Sequence, residues 1–175
     1  MNKKDLGYSL STDDIQKIRP NIKILIYPEF ADYETIDEIL DEWPSICILY
    51  LATKEYGHYT LLFRRKDMGI EYFDSMGMTP DNPLIYLDKE TKIDLNEDYP
   101  YLLRLLYDSG RVIHYNDYRL QSKDPMITTC GRHIICRDIY RNKYQDIDDY
   151  VYNMFYKDKL DPDEVVLKIT NKFWG

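Results

Sequence analysis

The stretch His114–Cys136, HYNDYRLQSKDPMITTCGRHIIC, reads as a strand, a polar loop carrying Pro125, and a helix whose first turn holds Cys130 and Gly131. A thiol at a helix start sits beside free N–H groups and the positive end of the helix dipole. Both stabilise the thiolate and lower its pKa towards the nucleophilic range. Gln121 lies nine residues upstream, and its amide can donate to a developing oxyanion. Taken alone, Cys130 reads more readily as a small inert residue at a helix cap. Its meaning depends on what the rest of the chain brings to it.

The chain has 175 residues, enough for one domain with a real core, and no linker-like stretch divides it, so 1–175 is expected to be a single domain. It carries 31 carboxylates against 23 basic side chains, for a net charge of −8, which disfavours nucleic acid as a general partner. The three cysteines, Cys47, Cys130 and Cys136, form no CxxC pair, so neither a zinc site nor a disulfide framework is expected. Cys47 and Cys136 read as core residues. The N-terminus lacks the apolar segment of a signal peptide, and the run Ile46–Ala52 is too short to span a bilayer. These features point to a soluble intracellular or virion protein with no membrane partner, metal or cofactor.

A hairpin supplies possible partners for the thiol. HYTLLFR (58–64) and IEYFDSMG (70–77) are two β-rich segments around a turn. With Lys66, Asp67 and Met68 as a three-residue loop, Arg65 faces Gly69 and Asp74 lies opposite Thr60. His58 is then a diagonal neighbour of Asp74 on the same face, within reach of a His–Asp hydrogen bond. A two-residue loop would break that parity.

The other segments read as mixed α and β. A helix over 9–19 is opened by Ser11 or Thr12 and closed at Pro20. Strands are expected over 22–28, 45–52 and 111–121. Ile36, Ile39, Leu40 and Trp43 stand at helical spacing over 32–43. Residues 78–97 read as loop-rich, with Pro80 and Pro83 and scattered charges. Helices follow over 100–110, from Gly131 to Tyr144, over 146–157, and from an Asp161 cap with Pro162 at the first helical position. The expected class is α+β, a central mixed sheet flanked by helices with the nucleophile at a helix N-terminus.

His58, Asp74, Gln121 and Cys130 together fill the roles a cysteine protease needs: imidazole, orienting carboxylate, oxyanion donor and thiolate. The pieces Gly57-His58-Tyr59, Phe73-Asp74-Ser75-Met76-Gly77 and Gln121-Ser122 through Cys130-Gly131 stand in this order. In that arrangement the region 45–140 resembles the adenain-like and SUMO-protease-like cysteine peptidases. Tyr115-Asn116 and Gly131-Arg132-His133 look most like the virus-encoded maturation proteases, the subgroup of the adenovirus endopeptidase and its relatives in virophages and other DNA viruses. Tyr59 stands where the family usually has Trp, and the Gln121–Cys130 loop is longer than the family's. Its extra residues either bulge outward or carry Gln121 out of reach, and Asp124-Pro125, a good turn pair, favours the bulge.

The resemblance implies an endopeptidase that cleaves after small residues, at Gly-Gly or Gly-small sites. Cys130 would be nucleophile, His58 general base and acid, Asp74 its partner, and Gln121 with the Cys130 N–H the oxyanion hole. Tyr59 and Gly131 would contact substrate. The implied partners are viral capsid or core precursor proteins, met by a monomer in the virion and the host-cell cytoplasm, at the virus factory. The alternative is a protease for ubiquitin-like modifiers; a capsid or binding protein on the same fold, without activity, is the non-enzymatic reading. Stimulation by a viral peptide or DNA is not carried over, since no cysteine matches the peptide-linking one. Two other histidines compete as base. His133 follows Cys130 on the same helix with no evident acidic partner, and His114 has Asp117 nearby.

Overall fold

The computed structural model describes residues 3–174. Helices α1 (Lys3–Leu6) and α2 (Thr12–Ile18) precede strand β1 (Lys23–Ile26), and α3 (Ile36–Leu40) leads to β2 (Ser45–Leu51), β3 (Gly57–Arg64) and β4 (Ile70–Phe73). Then come α4 (Lys89–Asp94), α5 (Tyr101–Asp108), β5 (Ile113–Tyr115), α6 (Cys130–Tyr140), α7 (Ile147–Val151) and α8 (Pro162–Trp174). The five strands form one sheet in the order β1-β2-β3-β4-β5. The outer pairs are parallel and the inner pairs antiparallel, which gives the expected mixed α+β architecture.

Side chains alternate across the sheet and separate two cores. Cys47, Leu49, Leu61, Phe63 and Phe73 face Ile134 and Ile135 of α6. Ile46, Ile48, Leu62 and Tyr72 face the other way, onto Ile36 of α3 and Leu102 and Leu105 of α5. Cys47 and Cys136 are both fully buried in the first core, as inert thiols.

The β3–β4 register has the expected parity. Leu61 faces Phe73 and Arg64 faces Ile70, and the Arg65 N–H donates to the Gly69 carbonyl at 2.8 Å across the three-residue loop. Met68 takes the left-handed conformation (φ 68°) that a hairpin loop of this length requires at its end.

Several elements are shorter than their sequence patterns. The helix expected over 32–43 is confined to Ile36–Leu40, because Thr35 and Glu38 form a capping box that starts it there. The strand expected over 22–28 stops at Ile26, where a 3-10 segment with Pro28 in its first turn takes over. Residues 78–97 are not merely loop: a 3-10 turn spans Asn82–Tyr86, and Asp88 caps α4 by accepting the Thr91 N–H at 2.8 Å. The 146–157 helix is regular only to Val151 and continues as a π turn over Tyr152–Tyr156. The strand expected over 111–121 ends at Tyr115. From there the Asn116 side chain, rather than a β ladder, ties the chain to β4.

Helix α6 is buried on all sides over Cys130–Asp138, although four of those residues are polar or charged. Each finds a partner from a distant element, as burial requires. Arg132 donates to Thr170 at 2.6 Å, His133 meets Asp163 at 3.0 Å, and Asp138 accepts from Arg19 at 2.6 Å. Arg137 makes a bidentate pair with Glu71 at 2.7 and 2.8 Å, and both side chains are wholly inaccessible to solvent. Its remaining donors reach the Tyr144 and Gln145 carbonyls. This pair bolts α6 to the sheet. Glu71→Ala, which strands a buried guanidinium, should lower stability by about 3–5 kcal/mol in urea unfolding, whereas Glu71→Leu with Arg137→Met should recover most of that loss.

Candidate active site

His58 is the second residue of β3. It is held at the sheet end because Gly57 lets β2 and β3 close there: a Cβ on Gly57 would lie 1.9 Å from the Tyr50 carbonyl oxygen. Asp74 is the first residue beyond β4 and is fully buried. Its backbone is clamped by Asn116, whose Oδ1 accepts the Asp74 N–H at 3.0 Å and whose Nδ2 donates to the Asp74 carbonyl at 2.7 Å. The carboxylate is aimed in turn, since Asp74 Oδ1 accepts the Met76 N–H at 2.7 Å. The same oxygen lies 2.8 Å from His58 Nε2. With Nε2 taken by the acid, Nδ1 is the nitrogen left for the thiol.

Cys130 opens α6, and Thr129 at the cap position makes no side-chain bond to the helix. Burial pushes the Cys130 thiol up, but the hydrogen bond and charge of His58, with the N–H groups of Tyr59 and Gly131, outweigh it and bring the thiol below its usual value. Burial likewise works against a charged His58, yet the Asp74 carboxylate and the facing sulfur push the imidazole up to about 10. Both shifts favour a thiolate–imidazolium pair at neutral pH. Cys47 and Cys136, by contrast, are pushed up by burial and stay thiols.

Gln121 reaches the same place by a separate route. The Leu120 and Gln121 N–H groups both donate to the Ser75 carbonyl at 2.9 Å. The Ser75 hydroxyl donates to Gln121 Oε1 at 2.8 Å, which turns the amide nitrogen outward. One Nε2–H goes to the Ile127 carbonyl at 3.1 Å, leaving the other for an oxyanion. The long loop bulges as its turn pair suggests: Asp124 Oδ1 accepts the Met126 N–H at 2.9 Å, and the exposed Met126 forms its tip. Gln121, His58 and Cys130 therefore line one cleft of about 380 Å³, with Met76, Leu84 and Ile127 among its walls.

The two expected substrate-contact residues are placed differently from each other. Gly131 does not line that cleft. A Cβ there would meet Leu10 at 3.3 Å and Ile15 at 3.4 Å, so the glycine lets α6 pack close against the N-terminal segment. Tyr59 is largely buried and lines an adjoining cleft of about 400 Å³, which shares Leu51, Tyr56 and Gly57 with the first. The competing histidines are also placed. His133 does have an acidic partner, Asp163 of α8, and is fully buried. His114 faces Asp67 at 4.0 Å, not Asp117.

Asn116, Ser75 and Asp163 are the supporting residues that sequence reasoning missed. The first two stood inside quoted motifs, where a buried Asn or Ser beside an acid or amide was the only signal; Asp163 carried none. Among the described residues no three His, Cys, Asp or Glu side chains group to hold a metal, and no helix is long and apolar enough to cross a membrane.

The ionic pair makes a measurable claim. The rate of Cys130 alkylation by iodoacetamide should rise with a midpoint below the ordinary thiol value of about 8.5. Asp74→Asn should move that midpoint upward, and His58→Ala further still, because only the Tyr59 and Gly131 N–H groups then oppose burial. A midpoint unmoved in His58→Ala would remove the pair from the argument.

No protein-family model matches the chain. Its backbone is similar to that of the ASFV pS273R protease, with a TM-score of 0.51 at 13% identity, over 99% of this chain and 70% of that one. ChlaDub1 from Chlamydia trachomatis superimposes with a TM-score of 0.47 at 13% identity, over 97% and 93% of the two chains. At such identities the likeness to the viral protease is one of fold. In sequence, the chain is 38% identical over 178 residues to uncharacterized protein V9 of the Sputnik virophage, covering 95% of this chain and 99% of that one. With that much of both chains aligned, the protein belongs to the family of the virophage V9 protein.

Proposed function

We propose that the protein is a cysteine endopeptidase of the adenain-like type, folded as one protease domain over residues 1–175 and acting as a monomer on viral precursor proteins. The observation that carries this reading is the His58–Asp74 contact of 2.8 Å, with Cys130 coupled to the same imidazole at the head of α6. The viral protease fold and the virophage relative support it.

In this mechanism the Cys130 thiolate attacks the scissile carbonyl carbon. The oxyanion is met by the spare Gln121 N–H and the Cys130 backbone N–H, donors already held in position and so needing little reorganisation. The His58 imidazolium, held by Asp74, gives its proton to the leaving amine. The neutral imidazole then takes a proton from the water that hydrolyses the acyl-enzyme, releasing the thiolate. The two connected clefts suit an extended peptide lying across Tyr56 and Gly57, with small residues at the cleavage point. The proposed substrates are capsid or core precursors, processed in the virion and at the virus factory in the host cytoplasm.

Co-expression with a viral capsid precursor, followed by mass spectrometry of the new termini, tests the reading. Wild type should generate cleavage after Gly or another small residue, Cys130→Ala none, and Gln121→Ala should cut kcat by roughly 10²–10³-fold. Identical products from wild type and Cys130→Ala would sink it.

A further inference from the structure

Asp163, in the first turn of α8, is almost wholly buried and lies outside the cleft that holds Cys130. Its carboxylate serves three donors. Oδ2 accepts the Ser122 N–H at 2.9 Å; Oδ1 accepts the Thr129 hydroxyl and lies 3.0 Å from His133 Nε2. Ser122 directly follows Gln121, and Thr129 directly precedes Cys130. One carboxylate therefore ties together both stems of the long loop and the first turn of α6.

The contact with Thr129 has a second effect. A Thr at a helix cap ordinarily accepts an N–H from the first turn. Here its hydroxyl is turned to Asp163 and makes no such bond, so the opening N–H groups of α6 stay available to the sulfur and to an oxyanion. The pairing is electrostatically settled as well: burial raises the Asp163 carboxyl, but His133, Thr129 and Ser122 outweigh it and hold it below the usual carboxylate range.

We propose that Asp163 is a positioning residue of the peptidase site, setting the distance between the Gln121 amide and the Cys130 helix start by clamping the two ends of the loop that joins them. The inference rests on the endopeptidase reading. Loss of the clamp displaces the oxyanion donor and loosens the loop that forms one wall of the cleft, while the opposite wall at Tyr50, Met76 and Leu84 stays in place, so the damage falls more on turnover than on binding.

The test uses Asp163→Asn, in which one of the two acceptor oxygens becomes a donor so that at least one of the three donors loses its acceptor, and Thr129→Val, a near-isosteric change that removes one contact and guards against a misfolded first variant. With a Gly-Gly peptide substrate, Asp163→Asn should lower kcat on the order of tenfold to hundredfold, with a smaller rise in KM because the loop also lines the cleft. Thr129→Val should give a smaller fall of the same kind. In a Gln121→Ala background, Asp163→Asn should cost far less, because the donor it positions is already gone. An unchanged kcat in both variants, or the same fall with and without Gln121, overturns the inference. Amide exchange across residues 122–130 separates this failure from failure of the peptidase reading. If wild type cleaves no peptide, that reading falls, while faster exchange in folded Asp163→Asn still upholds the clamp and unchanged exchange refutes it.

Discussion

The turn at Lys66–Met68 is the constraint on which the site depends. Strand side chains alternate with a period of two, so one residue more or less in that loop would send Asp74 to the opposite face from His58. The left-handed Met68 and the Arg65–Gly69 hydrogen bond hold the loop at three residues. Once the parity is set, His58 and Asp74 need only short reaches to meet at 2.8 Å. Everything added later, from Asn116 to α6, fastens onto a pair whose face was already chosen.

Burial of the thiol raises an apparent conflict. Enclosure alone makes a thiolate costly, and Cys47 and Cys136 show the outcome where nothing opposes it. Cys130 is nearly as enclosed, yet it sits against an imidazole that is itself propped up by a buried carboxylate. The low-dielectric setting that penalises a lone charge also strengthens attraction between opposite ones. Three cysteines in one core thus divide into two whose thiols are pushed up and one whose thiol is brought down, by their neighbours and not by their depth.

Local chemistry was legible in the sequence wherever it acts over a few residues. The Ser11 and Asp161 caps, the hairpin parity, the apolar β2 run and the Asp124-Pro125 bulge all follow from neighbours in the chain. The His, Asp, Gln and Cys of the candidate site could be singled out by order and spacing, and the structure brings all four to one place. What stayed hidden depends on distant partners. Strand β5 looked nearly four times as long as it is because Asn116 replaces ladder bonds with side-chain bonds to Asp74, 42 residues away. Gly131 looked like a substrate contact, yet its open side is filled by Leu10. His133 and Glu71 have side-chain partners 30 and 66 residues away, which no periodicity reveals.

Those separations carry a consequence for synthesis. The contacts that complete the site span 16 residues for His58–Asp74, 46 for Ser75–Gln121 and 41 for Ser122–Asp163. Non-local closures of this kind form late in folding, because loop entropy is lost before any contact rewards it. The hairpin can exist on a nascent chain, but the tie from α8 cannot form until residue 163 has left the ribosome. The ordering of the loop ahead of Cys130 thus waits on a residue 34 positions beyond Thr129, so the thiol and its helix can be made before the segment beside them is tied down.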